Sequence, residues 1–143
     1  MASYRTTIPS PRSAEQAFDY MAMFSNVTEW DETAAEAHPV GGNAPGKGAR
    51  FHVLVKWMGR EIPLEYTTTA YERPKRVVLR AENATTVSED TITVEPSGTG
   101  CRMTYEAKLT LKGILRLADP IFGLAFKRLG DKAAAGLRRE LSG

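Results

Sequence analysis

Hydrophobic positions recur with a period of two through the middle of the chain. The clearest run is FHVLVKW, in which Phe51, Val53, Val55 and Trp57 share one face and His52 lies on the other. Alternation of this kind predicts β-strands with one buried and one solvated face, as in antiparallel sheets joined by hairpins. On this basis strands are predicted over residues 3–8, 34–39, 49–57, 61–71, 76–82, 85–95 and 101–111.

Two other regions show the spacing of three and four that is typical of amphipathic helices. The first, residues 14–23, carries a one-sided apolar stripe and follows Ser13, a residue type that caps helix N-termini. Residues 24–31 predict a second, shorter helix or an ordered loop. The long C-terminal helix begins at Asp119-Pro120, an N-cap followed by the first helical position. Its apolar stripe comprises Phe122, Phe126, Leu129, Ala133 and Leu137.

The predicted order is a strand, two short helices, about six further strands and one long helix. A long helix with a single apolar stripe is expected to cover the buried face of a curved sheet. The chain has 143 residues, and no internal repeat or low-complexity tract interrupts it. We therefore predict one α+β domain over residues 1–143, without linkers.

Charge and composition exclude some functions and leave others open. The net charge of +2 is too small to indicate nucleic-acid binding. Acids dominate residues 13–39 and bases dominate residues 112–143, which indicates two solvated faces or, alternatively, an anionic partner or membrane surface near the last helix. No apolar run is long enough for membrane insertion, and MASYRTTIPSP lacks the apolar centre of a secretory signal. With Cys101 as the single cysteine, a cytoplasmic location is expected.

Several stretches resemble the START-like helix-grip superfamily (SRPBCC), which includes polyketide cyclase/dehydrase-type proteins and plant allergen-type ligand carriers. They are YRTTIPSPRSAEQAFDYM, FSNVTEWDE, GKGARFHVLVKWMGREIPLEY, DTITVEP and DPIFGLAFKRLGDKAAAGLRREL, and together with the element order they cover essentially the whole chain. The resemblance implies a curved antiparallel sheet of six to seven strands wrapped on the C-terminal helix, with two short helices after the first strand. It also implies an apolar cavity open at one end.

The resemblance and the strand alternation together predict the residues that face this cavity. In the segment FSNVTEWDE the resemblance implies that Trp30 packs at the edge of the sheet while a flanking acid pins the turn; lining the cavity mouth is the alternative. Asp90 shares the parity of apolar neighbours, although it can instead lie at a solvated strand end or pair with Arg80. The candidate ligand-binding residues are Trp30, Phe51, Val53, Val55, Trp57, Leu64, Tyr66, Thr68, Asp90, Ile92, Tyr105, Phe122 and Phe126.

No motif assigns a catalytic residue, a metal or a cofactor. His52 has the parity of charged neighbours, and no HxH, HExxH, CxxC, P-loop or nucleophile-elbow spacing is present. An apolar wall with a few polar groups favours binding of a hydrophobic small molecule such as a lipid or polyketide-like compound. A polyketide cyclase-like enzyme is the second hypothesis, with Tyr66 and Tyr105 as hydrogen-bond donors and Asp90 as base. A protein-interaction module with a collapsed cavity is the third, and the alternatives of monomer and homodimer stay open.

Overall fold

The structure is a computed structural model that describes residues 2–57, 59–113 and 119–142, with side chains in the last range described from Gly123 onward. It contains one seven-stranded sheet, two short helices and one long helix. The strands are β1 (Ala2–Ser10), β2 (Ala34–Gly41), β3 (Arg50–Trp57), β4 (Arg60–Glu72), β5 (Arg76–Glu82), β6 (Thr86–Ser97) and β7 (Gly100–Leu111). The helices are α1 (Ala14–Ala22), α2 (Val27–Trp30), which follows a 3₁₀ turn at Phe24–Asn26, and α3 (Asp119–Leu141).

Every neighbouring pair of strands is antiparallel, in the spatial order β1-β7-β6-β5-β4-β3-β2. The first strand pairs with the last, so β1 and β2 form the two edges of the sheet. The chain leaves β1, forms α1 and α2, and enters the sheet again at the opposite edge. This arrangement confirms the α+β helix-grip fold predicted from the sequence, with two short helices after the first strand and a long helix at the end.

Local sequence explains where α1 begins and which face it buries. The Ser13 hydroxyl accepts a hydrogen bond from the backbone N–H of Gln16 at 3.1 Å, and the Gln16 side chain accepts one from the Ser13 N–H at 3.3 Å. This reciprocal capping box satisfies two backbone donors that the first helical turn leaves unpaired. The predicted stripe of Ala17, Phe18 and Met21 is buried. It packs on one half of the sheet, where Phe18 contacts Tyr71 at 5.4 Å between ring centroids.

The C-terminal half of α3 is fixed to the start of the chain. The Ser10 hydroxyl donates a hydrogen bond to the carbonyl oxygen of Leu141 at 2.6 Å, and the Arg12 guanidinium donates one to the carbonyl of Glu140 at 2.8 Å. These bonds satisfy carbonyl groups that the last turn of a helix leaves without partners. Leu137 and Leu141 are fully buried in the same region. The packed core therefore occupies this half of the molecule, and α3 extends from it across the other half of the sheet.

Candidate ligand-binding cavity

A cavity of about 460 Å³ lies between the sheet and α3. It is located toward the end of the sheet where β3 passes into β4 and β7 ends, since Trp57, Ile62, Thr86 and Leu111 all line it. Pockets that hold drug-sized molecules typically measure about 300–1,000 Å³ and have mostly apolar walls with a few placed polar groups. The cavity is therefore large enough for a small organic ligand.

Strand alternation builds the apolar wall of this cavity. Val53 of β3 lies opposite Leu64 of β4, and Val55 lies opposite Ile62, so these four side chains project from one face of adjacent strands. Phe126 and Leu129 line the cavity from α3. The predicted period of two in β3 and β4, combined with the period of three and four in the helix, thus produces two apolar surfaces that enclose one space.

A buried hydroxyl pair forms the first polar feature of the cavity. The Tyr66 and Ser88 hydroxyls lie 2.7 Å apart, and both side chains line the cavity. Tyr66 is on β4 and Ser88 on β6, so the phenol reaches across β5 to make this hydrogen bond. Burial raises the pKa of Tyr66, which keeps its hydroxyl protonated near neutral pH. The pair therefore presents neutral hydroxyl groups to a ligand.

Asp90 of β6 is the second polar feature, and it is only 5% exposed. The Tyr105 hydroxyl of β7 donates a hydrogen bond to its Oδ2 atom at 3.2 Å, and both residues line the cavity. Burial raises the pKa of Asp90 to about 7, against the smaller opposing effect of the Tyr105 hydrogen bond. The alternative positions considered for Asp90 are wrong, because the strand is buried there and Arg80 pairs with Glu82 at 2.9 Å.

Asp31 brings a second carboxylate to the cavity wall. It follows the last residue of α2, and its Oδ1 atom accepts hydrogen bonds from the Thr33 backbone N–H at 2.9 Å and the Thr33 hydroxyl at 2.7 Å. This is the pinned turn that the family resemblance implies for an acid beside Trp30. Burial raises the pKa of Asp31, against the opposing hydrogen bonds from Thr33. Asp31 therefore fixes the turn and also faces the cavity, a second role that the sequence analysis did not predict.

Eight of the predicted ligand-binding residues line the cavity, and four others that the structure describes do not. The eight are Val53, Val55, Trp57, Leu64, Tyr66, Asp90, Tyr105 and Phe126. Four others lie in the packed core outside the lining, namely Trp30, Phe51, Thr68 and Ile92. The side chain of Phe122 falls outside the described part of the chain. The role of the eight residues in binding a ligand stays a prediction.

Trp30 does not pack at the edge of the sheet, where the family resemblance implied that it would lie. Its ring packs edge-on against Tyr105 at 5.2 Å between centroids. Because β7 lies between β1 and β6, this contact is on an interior strand and not at the edge of the sheet. The backbone of Trp30 also lies against Gly136 of α3. Trp30 therefore joins α2, β7 and α3, and through Tyr105 it supports one wall of the cavity.

Sequence reasoning missed the cavity residues contributed by turns and by the first strand. Asn83 and Thr85, between β5 and β6, and Tyr4 of β1 all line the cavity. The Tyr4 hydroxyl donates a hydrogen bond to the Asp131 carboxylate of α3 at 2.9 Å, which places its ring beneath the helix. Strand parity gives no signal for turn residues. The apolar stripe of α3 between Phe126 and Ala133 could have indicated that this part of the helix covers the cavity. It could not have indicated that Tyr4 of β1 lies beneath it.

With the cavity described, a comparison of the chain with protein families becomes informative. The family model for polyketide cyclase / dehydrase and lipid transport matches residues 1–142. The chain belongs to this family. Comparison with the curated proteins finds no match. Within the described ranges, no helix is both long and apolar enough to cross a membrane, and no group of three or more metal-ligating side chains occurs.

Solved structures place this family member among START-type folds. A START superfamily protein from Mycobacterium smegmatis is 11% identical and has a TM-score of 0.81, with 99% of this chain and 97% of that protein covered. A protein from Thermus thermophilus is 13% identical with a TM-score of 0.79, covering 97% and 96%. A protein from Deinococcus radiodurans is 14% identical with a TM-score of 0.69, covering 98% and 95%. At sequence identities this low, the structural similarity shows a shared fold and carries no information about activity.

Proposed function

We propose that this polyketide cyclase/dehydrase and lipid transport family member binds a hydrophobic small molecule in the cavity between the sheet and α3. The observation that carries the proposal is the cavity of about 460 Å³, whose walls are mainly apolar and whose buried polar groups are few. Burial of an apolar ligand there releases about 25 cal/mol for each Å² removed from water. A preformed space of this kind binds without the cost of opening the core.

The buried carboxylate supports a second candidate function, a cyclase-like reaction in the same cavity. Asp90 has a pKa of about 7, which is suited to a general base near neutral pH. The Tyr66 and Ser88 hydroxyls are hydrogen-bonding groups available to the oxygen of an enolate. Binding requires only the cavity and its walls, whereas the reaction also requires a substrate held against Asp90. We therefore prefer binding as the function.

The cavity also bears on the third hypothesis, a protein-interaction module with a filled interior. Large side chains at Trp57, Phe122 and Phe126 would favour that hypothesis if they met inside the fold. Trp57 and Phe126 both line the cavity of about 460 Å³. This position supports a ligand-binding function over an interaction module.

Two measurements test the proposed function. Native mass spectrometry of the purified protein, followed by denaturing extraction, is expected to detect a co-purified apolar compound as a reproducible mass excess. Titration with the neutral fluorophore N-phenylnaphthylamine is expected to give saturable fluorescence enhancement. The Ala107→Phe variant places a ring in the cavity from β7 and should weaken fluorophore binding at least about tenfold, the equivalent of about 1.4 kcal/mol.

A matched control separates cavity filling from a general effect of an added ring. Ala135 lies on the exposed side of α3, so Ala135→Phe adds the same side chain outside the cavity. This variant should bind the fluorophore as the wild type does. If Ala107→Phe binds the fluorophore with unchanged affinity, the cavity is not the binding site and the proposed function fails.

A further inference from the structure

Two carboxyl groups, Asp31 and Asp90, line the cavity and have hydrogen-bond acceptor capacity that is only partly used. Asp90 receives one hydrogen bond within the described part of the chain, from Tyr105 to Oδ2, although a carboxylate has room for about four. Both hydrogen bonds to Asp31 reach the same atom, Oδ1. The Asp31 carboxylate also acts on Asp90, because its Coulombic field contributes to raising the pKa of Asp90. The cavity thus offers acceptor capacity that its own described donors leave unused.

Positive side chains are placed elsewhere. No Lys, Arg or His lines the cavity among the residues that the structure describes. Two basic residues of α3 form contacts outside the cavity. Lys132 pairs with Glu32 at 3.3 Å, and Arg139 donates a hydrogen bond to the carbonyl of Glu29 at 3.1 Å. The carboxyl groups of the cavity therefore have no described cation as a partner.

From this arrangement we infer that the ligand is an amphiphile with an apolar body and an amine at its polar end, held by Asp90 and Asp31, and that the cavity rejects carboxylates. The inference rests on the proposed function, since it names the ligand class of the same cavity. It concerns charge and hydrogen-bond direction, which the apolar walls alone do not determine.

Electrostatics in a buried site explains the selection. An ammonium group donates charge-assisted hydrogen bonds to a carboxylate, and these are about twice as strong as bonds between neutral groups. Its charge also compensates a carboxylate that would otherwise be costly to ionise in an apolar cavity. A carboxylate ligand has no proton to donate and would add a third acid beside Asp31 and Asp90. An alcohol of equal length can donate one neutral hydrogen bond and should bind with intermediate affinity.

Competition among three ligands of equal chain length tests the inference. N-phenylnaphthylamine is bound first and then displaced by dodecylamine, dodecanol or dodecanoate at neutral pH, below the concentrations at which they form micelles. Dodecylamine should displace the fluorophore at a concentration at least about tenfold below that of dodecanoate. The Asp31→Asn/Asp90→Asn variant should reduce that ratio to less than about threefold.

A surface-carboxylate control and a fold check make the variant result decisive. Glu36→Gln removes an exposed carboxylate from β2, outside the cavity, and should retain the preference for the amine. Asn at position 90 keeps an acceptor for the Tyr105 hydroxyl, and Asn at position 31 keeps one for Thr33, so both single variants should fold. Far-ultraviolet circular dichroism and the fluorophore affinity of each variant are measured before competition.

The possible outcomes separate this inference from the function on which it rests. Absence of fluorophore binding to the wild type overturns the proposed function and the inference together. Fluorophore binding with equal displacement by dodecylamine and dodecanoate leaves the proposed function intact and overturns the inference. A preference for the amine that survives Asp31→Asn/Asp90→Asn also overturns it, because the selection then arises outside these carboxylates. Loss of the preference in the double variant, with retention in Glu36→Gln, supports it.

Discussion

Two aspartates of this chain have opposite pKa shifts because their surroundings differ. The exposed Asp19 carboxylate receives two hydrogen bonds from the Arg73 guanidinium, at 2.7 and 2.8 Å, and this pair lowers the pKa of Asp19. Asp90 lies in the cavity wall with a phenol as its partner, and burial raises its pKa to about 7. The same side chain thus serves as a surface ion-pair partner in one place and as a titratable cavity group in the other.

Asp90→Asn should stabilise the protein, and by more at higher pH. The folded pKa of about 7 lies above the ordinary value of 3.8, so folding takes up a proton between these values. In the wild type this carboxyl group therefore reduces stability as pH rises from about 4 to about 7 and has a constant effect above that. The variant should gain a few kcal/mol at pH 8 relative to wild type and much less at pH 4.

Urea unfolding of both proteins between pH 4 and pH 8 measures this difference. Asp31 has a pKa raised by burial as well, and Asp19 and Glu82 have lowered ones. Asp19 and Glu82 are common to both proteins and cancel in the difference in unfolding free energy, which therefore reports Asp90 together with its Coulombic coupling to Asp31. A difference that is independent of pH would contradict the buried, uncompensated environment assigned to Asp90.

At the scale of elements, α3 approaches α2 closely because it carries a glycine at the crossing. A Cβ atom at position 136 would overlap the backbone of Trp30, which side-chain rotation cannot relieve. Gly136→Ala should therefore cost about 1–3 kcal/mol of unfolding free energy, as overpacking substitutions do. Thermal unfolding followed by circular dichroism measures this cost.

Gly123 provides the control within the same helix. A Cβ atom there meets nothing within 4 Å, so Gly123→Ala should be neutral or stabilise by up to about 1 kcal/mol through helix propensity. If both substitutions stabilise the protein equally, α3 does not pack on α2 as described.

Strand parity predicted the buried face of β3 and of the first part of β4, but a register shift between Thr68 and Ala70 reverses it, so that Tyr71 pairs with buried Val77. Strand parity also did not predict how far along the strand the cavity begins. Phe51 and Val53 share parity on β3, yet Phe51 is packed in the core and Val53 lines the cavity. Ile92 and Asp90 differ in the same way on β6. The position along a strand at which the packed core ends and the cavity begins depends on where α1 packs against the sheet. That packing is a long-range contact that no local sequence pattern encodes.

The second carboxylate of the cavity shows another limit of sequence reasoning. The family resemblance implied a turn pinned by an acid beside Trp30, and Asp31 forms it with Thr33. That Asp31 also faces the cavity follows from the path of α2 across the sheet. If α2 ended two residues earlier or later, the Asp31 carboxylate would point in another direction. Its position in the cavity wall can therefore be identified only from the folded structure.

At the scale of the whole molecule, the domain has a packed half and a hollow half. Phe18, Leu79 and Leu137 fill the first, while the cavity of about 460 Å³ occupies the second. Apolar side chains that face a cavity lose part of the dispersion contacts that a filled core provides. A ligand that fits the cavity restores these contacts, so binding and stability should be coupled.

Saturation with N-phenylnaphthylamine should therefore raise the unfolding free energy of the wild type by about 2.7 kcal/mol at a free concentration of one hundred times its Kd. Differential scanning calorimetry should detect this as an increase in Tm. The Ala107→Phe variant should show a much smaller increase at the same concentration, and Ala135→Phe should match the wild type. An equal increase in all three proteins would indicate binding outside the cavity.

The attachment of α3 at its C-terminal end has a kinetic consequence. Ser10 and Arg12 hold the carbonyls of Leu141 and Glu140, whereas Phe126 and Leu129 cover the cavity about three to four turns away along the helix. Displacement of the helix should therefore be smallest at this attachment and grow toward the residues above the cavity. Entry and exit of a ligand would then be limited by the rate at which α3 moves away from the sheet about its C-terminal attachment, and not by diffusion. Association and dissociation of the ligand should therefore both be slow.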